Sequence, residues 1–197
     1  MKVIGLTGGI GSGKSTVSRF LEEMGAVLLD ADKVGHEAYQ PNTDTFKEVV
    51  AAFGEEIINS DGEIDRKKLG GIVFSNPEML TKLNQIMHPR MFDMMKERIE
   101  QFHQQGVRVV VLEAAILIEA GWTPLVDEVW VTVASVSEVV SRAVKRTGLP
   151  EEQIRARIRS QLSNEQRTKN ADVVIINDGS LDDLNKKVAG LWQKIKE

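Results

Sequence analysis

The chain has 197 residues, 42% of them hydrophobic and 27% charged, with a formal charge of −4 and no cysteine. That length suits one α/β domain with inserted subdomains, and the lack of cysteine excludes disulfides, thiolate zinc sites and cysteine nucleophiles. The acidic balance argues against general nucleic-acid binding, and no apolar run is long enough to span a bilayer.

Val3, Ile4 and Leu6 predict a short buried strand over residues 2–7. The start Met1-Lys2-Val3-Ile4 leads straight into that strand with no signal peptide, so a cytoplasmic protein is expected. The strand runs into Gly8-Gly9-Ile10-Gly11-Ser12-Gly13-Lys14-Ser15 and then Thr16, which matches the P-loop pattern G-x-x-x-x-G-K-[ST]. Val17, Phe20, Leu21 and Met24 follow at helical spacing, predicting a helix over 14–24 that Gly25 ends. Strand, glycine-rich loop and helix in that order are what the motif requires. The glycines let the backbone approach an anion closely. Successive N–H groups then form a concave nest for phosphate oxygens, and the helix N-terminus adds unpaired N–H groups and a positive dipole end. Gly9, Gly11, Ser12, Gly13 and Thr16 are therefore expected at the nucleotide phosphates, with Lys14 reaching the β- and γ-phosphates and the Ser15 hydroxyl ligating Mg²⁺.

Ala26-Val27-Leu28-Leu29 predicts a second strand, stopping at Asp30-Ala31-Asp32. Those carboxylates fall at the carboxyl edge of the sheet, where open α/β sheets bind ligands. Residues 33–104 read as helical, without a convincing strand. Helices are expected over 32–39 and over 44–53, where Phe46, Val49, Val50 and Phe53 share a face. Asp65 can cap a short helix through Phe74, and Asn76-Pro77 starts another. Pro89 is expected to break or kink that helix near His88, leaving a second helix with Met91, Phe92, Met95, Ile99 and Phe102. The Met and Phe positions read as core. His36 and His103 show no ligand spacing and read as surface.

Arg108–Leu112 predicts a third strand, nearly all apolar as a central parallel strand should be, ending at Glu113. An acid there is where a P-loop protein keeps its Mg²⁺-side carboxylate; a buried pairing with Lys14 is the alternative role. Ala115–Trp122 is a short apolar segment, and 128–133 is the fourth strand. Ser135 and Glu138 have capping-box spacing before a helix that carries Arg142 and Arg146, four apart on one face. Gly148 ends it, Pro150 begins another, and Ser163 with Gln166 forms a second capping box. Residues 173–176 are the fifth strand; Asn177-Asp178-Gly179 turns into a last helix over 181–195. Trp122, Trp130 and Trp192 read as core. Residues 142–169 hold eight Lys/Arg against three acids, which suggests a local anionic ligand.

Five strands, each followed by a helix, predict a doubly wound parallel sheet flanked by helices. The size argues against a motor, and the absence of an N-K-x-D segment argues against a guanine-specific switch. A small-molecule kinase needs a group that orients the acceptor hydroxyl, cations over the transferred phosphoryl, and a lid against water. Asp32 and Arg142 with Arg146 are placed to supply the first two, and the helices over 136–170 the third. Asp32 has the alternative of merely capping its helix, with Asp30 as a structural partner.

The stretch Gly5-Leu6-Thr7-Gly8-Gly9-Ile10-Gly11-Ser12-Gly13-Lys14-Ser15 resembles the signature of the dephospho-CoA kinase family. The resemblance continues in Asp30-Ala31-Asp32, Asp61-Gly62 with Asp65-Arg66, His88-Pro89, Arg142 to Arg146, Ser160-Gln161 and Asn177-Asp178-Gly179. It implies a P-loop kinase fold in one domain: a core of about 1–31, 105–135 and 171–197, an acceptor-binding helical subdomain of about 32–104, and a helical lid of about 136–170. It implies ATP-dependent phosphorylation of the ribose 3′-hydroxyl of dephospho-CoA, with Mg²⁺ and with no nucleic acid or membrane as partner. Asp32 would accept the hydroxyl proton, Arg142 would stabilise the β/γ-phosphate charge with Arg146 in support, and Asn177 and Gly179 would border adenine. His88 would line the acceptor pocket. Where the family has Asp and then a Pro-Leu-Leu-Phe-Glu-like run, this chain has Glu113-Ala114-Ala115-Ile116-Leu117-Ile118-Glu119, so Ala114 and Glu119 fall on the acceptor side. Two other readings stay open from the residues: a kinase for another nucleotide or small-metabolite hydroxyl, and a nucleotide-binding regulator without acceptor chemistry.

Overall fold

The computed structural model describes residues 1–196, apart from the side chains of Arg146 and Lys196. The chain divides into two compact units, one of Met1–Asp30 with Ile99–Glu197 and the other of Ala31–Arg98.

The first unit is built on a five-stranded parallel sheet: β1 (Lys2–Gly8), β2 (Val27–Asp30), β3 (Val109–Glu113), β4 (Glu128–Val133) and β5 (Val173–Ile176), in the order β2-β3-β1-β4-β5. β1 is central, and Val3 through Gly8 are all buried. Apolar residues on both faces suit a strand covered on both sides. On one face Ile4, Leu6, Val111 and Trp130 pack with Val17, Phe20 and Leu21 of α1 (Lys14–Glu23). Leu184, Val188 and Trp192 of the last helix join the same cluster. Burying each such side chain contributes about 1.5–3 kcal/mol, which is what holds the sheet flat against the helix that follows the glycine loop.

Register sets the functional edge. Glu113 stands opposite Leu6 on one side and Asp30 on the other, and Gly8 stands opposite Thr132. Three strands therefore deliver their last residues to one rim, at the point where the order turns on either side of β1. That rim is where ligands bind in open α/β sheets.

Not every strand is followed by an α-helix. After β3 the chain takes turns through residue 121 and a short 3₁₀ helix, Thr123–Leu125, before β4. Leu117 and Trp122 are buried there and anchor the connection. After β4 come α6 (Val136–Thr147), α7 (Glu151–Arg159) and α8 (Asn164–Thr168), the last two separated at Ser160–Ser163. Ser163 and Gln166 form the full capping box, which restarts the helix after that break. Ser135 accepts from the Glu138 amide as expected, but the Glu138 carboxylate faces Arg142 at 3.4 Å. An ion pair four residues along the helix claims it.

The second unit holds α2 (Ala31–Ala38), α3 (Asp44–Phe53), α4 (Arg66–Val73) and most of α5 (Pro77–Gln104). Asp65 caps α4 through the Lys67 and Lys68 amides. The expected break at Pro89 does not occur: α5 runs through it as one helix. Met87, Met91 and Met95 are buried at four-residue intervals along α5. Packing of that stripe outweighs the roughly 3 kcal/mol cost of an interior proline. A Cβ on Gly35 of α2 would sit 3.2 Å from the Met91 methyl, and Glu37 pairs with Arg98. His36 is half-buried, edge-on to Tyr39, rather than a surface residue. The last helix, α9 (Leu181–Lys196), returns to the first unit.

Candidate active site

The P-loop leaves β1 at Gly8 and enters α1 at Lys14. Gly11 and Gly13 take φ of 69° and 97°, the left-handed region that side chains resist. Gly8 is needed for space: a Cβ there would lie 2.2 Å from the Thr132 hydroxyl and 2.5 Å from that of Ser12. Those two hydroxyls bond each other at 2.8 Å, and the Asn177 amide donates to the Ser12 carbonyl at 2.8 Å. No described side chain caps α1 at Gly13, and a helix N-terminus without a side-chain cap is what an anion nest requires.

Beneath the loop three expected residues converge. Lys14 Nζ lies 2.5 Å from Glu113 Oε1, and the Ser15 hydroxyl donates to the same oxygen at 3.1 Å. Ser18 donates to the other carboxylate oxygen at 2.5 Å. Glu113 is only 9% exposed. Burial pushes its carboxyl up, but the hydrogen bonds and charge of Lys14, with Ser18 and Ser15, outweigh that and hold it below its ordinary value. It is therefore an anion at neutral pH. The alternative pairing with Lys14 is thus present, on the same oxygen that faces Ser15. A hydroxyl and a carboxylate are hard oxygen donors of the kind Mg²⁺ takes in small number beside water and phosphate oxygens. Among the described residues no cluster of three His, Cys, Asp or Glu side chains offers an all-protein metal cage.

Above the loop an open cavity of about 590 Å³ is lined by the loop, Lys14, Thr16, Arg142, Gln161, Asn177 and Gly179, within the size of small-ligand sites. Arg142 Nη1 donates to the Asn177 carbonyl at 2.9 Å, which steadies its guanidinium at the cavity wall. Asn177 thus works on both sides, its amide on the P-loop and its carbonyl on the arginine. Arg146 lies in α6, but its side chain is outside the described residues.

The remaining expected residues are placed as follows. Ala114 is buried and its amide donates to the Leu6 carbonyl at 3.0 Å. Glu119 accepts from Arg167 Nη2 at 3.1 Å. Asp32 is exposed in the first turn of α2, two residues past the end of β2. His88 is half-buried in α5, and burial lowers its pKa from 6.5.

The roles of four side chains escaped sequence reasoning. Thr132 interrupts an apolar strand, and Ser18 sits among apolar positions of α1; both breaks in pattern were readable signals. Gln161, which accepts from the Ile10 amide at 2.9 Å, and the buried Arg167 lie in the basic segment, where charge counting hid them.

The dephospho-CoA kinase family model matches residues 2–183. A dephospho-CoA kinase from Dehalococcoides mccartyi is 44% identical over 188 residues, 95% of this chain and 94% of that protein. One from Geobacter sulfurreducens is 44% identical over 194 residues, 98% of each. The solved structure of dephospho-CoA kinase from Campylobacter jejuni superposes with a TM-score of 0.75 at 28% identity, covering 99% of this chain and 98% of that one. With its P-loop, its rim of strand-end carboxylates and this likeness along nearly its whole length, the chain belongs to the dephospho-CoA kinase family.

Proposed function

We propose that the chain transfers the γ-phosphoryl group of ATP to the ribose 3′-hydroxyl of dephospho-CoA, yielding CoA and ADP in the last step of CoA biosynthesis. Family membership supports the substrates. The observation that supports the chemistry is the convergence of the Lys14, Ser15 and Glu113 side chains at the P-loop.

Loop amides from Gly9, Gly11, Ser12 and Gly13, with Ser15 and Thr16 at the start of α1, hold the phosphates. Lys14 exchanges its bond to Glu113 for the β/γ oxygens. Arg142 places a fixed cation over the transferred group, and Arg146 supports it as residues 136–170 close over the site. The ribose 3′-oxygen attacks the γ-phosphorus, the bond to the β,γ-bridging oxygen breaks, and ADP leaves. Asp32 takes the hydroxyl proton; its place just past a strand end supports this. In a loose transition state that transfer comes late, so orientation counts for more than basicity. Ser15, and Glu113 through water, are the residues that would hold Mg²⁺, which supplies charge neutralisation on the β/γ oxygens. Residues 32–104, with His88, and Ala114 after β3 serve the acceptor.

A coupled ADP-release assay over dephospho-CoA, nucleoside monophosphates and small hydroxylated metabolites tests this. Turnover with dephospho-CoA alone is expected. Turnover only with another acceptor, or Mg·ATP binding with no turnover at all, overturns it.

A further inference from the structure

The two limbs of the P-loop are held differently. The inner limb, Ser12–Gly13, is fixed by Asn177 and Thr132. The outer limb, Gly9–Ile10, rests on the segment that joins α7 to α8. The Ile10 N–H donates to Gln161 Oε1 at 2.9 Å. A Cβ on Gly9 would lie 3.3 Å from Arg167 Nη1 and 3.6 Å from Gln161 Oε1, so both side chains lie close beside the loop at Gly9.

Gly9 and Ile10 border the phosphate-side cavity on one face and a second cavity, of about 560 Å³, on the other. With open space on both faces, core packing cannot set where this limb lies. Polar ties must, and Gln161 borders both cavities.

Arg167 shows why the segment carrying Gln161 stays put. It is only 2% exposed. Nη2 donates to Glu119, Nη1 donates to the Leu162 carbonyl next to Gln161, and Nε is buried with no hydrogen-bond partner among the described residues. A buried guanidinium with an unmet donor is costly. Glu119 offsets its charge, and what the arrangement secures is the backbone at Leu162. Glu119 is thereby paired within the first unit.

We propose that Gln161 is a positioning residue for the phosphoryl donor: through the Ile10 amide, and with Arg167 and Glu119 holding its segment, it presets the outer limb of the P-loop for the β- and γ-phosphates. This rests on the ATP reading above. A limb that must be ordered on binding weakens affinity for whatever orders it, so losing the tie weakens phosphate-bearing ligands and not the nucleoside.

The test is Gln161→Met in the full chain, which keeps side-chain length and removes the acceptor. Gln161 is exposed, so no core cavity opens. Calorimetry should show the Kd for Mg·ATP and for ADP raised about fivefold, the size of one lost hydrogen bond, with adenosine, measured by competition, within twofold of wild type. In turnover the loss falls on KM for ATP and not on kcat. The Ile10 amide should exchange faster in Gln161→Met and stay protected in Gln161→Glu, which keeps an acceptor oxygen; that contrast separates a lost tie from a lost fold. An Mg·ATP affinity within twofold of wild type overturns the proposal, as does equal weakening of adenosine. Binding is read without an acceptor, so a wild-type chain that binds Mg·ATP but leaves dephospho-CoA untouched counts against the kinase reading while this test still decides.

Discussion

Lys14 Nζ and Glu113 Oε1 are 2.5 Å apart, and that carboxylate also accepts the hydroxyls of Ser15 and Ser18. The P-loop cation and the acid at the end of β3 thus form one neutral pair in a mostly buried place. The pair contributes to the acid stability of the chain. Burial pushes Glu113 up, but its partners hold it below its ordinary 4.5, so at that group the native state binds fewer protons than the unfolded chain. Its contribution is complete above pH 4.5 and is lost as pH falls through the lower folded value. Urea denaturation of wild type and Glu113→Gln, followed from about pH 7 to about pH 3, should show the wild type losing stability more steeply in acid. Parallel acid limbs would remove this pair from the account.

Arg142 reaches across to the Asn177 carbonyl at the cavity wall and is about one-third exposed. Arg142→Ala should lower kcat about 10³-fold, as loss of an arginine that stabilises phosphoryl-transfer charge does, at a stability cost below about 1 kcal/mol. Steady-state kinetics alongside thermal unfolding check both halves. A fall in kcat below about threefold takes Arg142 out of the transition state.

Gly13 combines a φ of 97° with the Asn177 amide nitrogen only 2.1 Å from where a Cβ would stand. Gly13→Ala meets both penalties. The left-handed conformation alone costs about 1–2 kcal/mol, and Asn177 must also give up Ser12. A Tm drop of about 4–8 °C is expected for a chain of this size, together with loss of detectable Mg·ATP binding. Wild-type ATP affinity in the variant would mean that the loop's shape does not depend on Asn177.

Asp32 is exposed in the first turn of α2, so Asp32→Asn keeps size and a hydrogen-bonding head without disturbing a core. If Asp32 takes the acceptor proton, kcat should fall at least about 10²-fold while Tm and Mg·ATP affinity hold. Near-wild-type turnover would leave Asp32 only the role of a helix-terminus acid.

The sheet was legible because its strands are short apolar runs, three of which end at Gly8, Asp30 and Glu113; Glu128–Val133 and residues 173–176 also fall where the pattern puts them. The P-loop was legible because its mechanics need particular residue types at fixed spacing. Pro89 was misread because a local rule was applied where a buried methionine stripe decides. The roles of Gln161, read only within the Ser160-Gln161 resemblance, and of Arg167 were missed for a different reason. Periodicity and charge describe elements, whereas these two act on a backbone some 150 residues earlier in the chain. No local pattern records a partner that far away. Strand order was equally silent, since parallel crossovers of similar length permit several arrangements.

The bond between the Asn177 side chain and the Ser12 carbonyl joins positions 165 residues apart. A ribosome that has not yet reached Asn177 has therefore made every residue of the glycine motif without the partner that shapes it. Central β1 likewise waits for β3 and then β4. Such distant pairing makes for slow folding and leaves unpaired strand edges during synthesis. A nascent chain stalled before Asn177 is thus a nucleotide-binding sequence that has yet to become a nucleotide-binding protein.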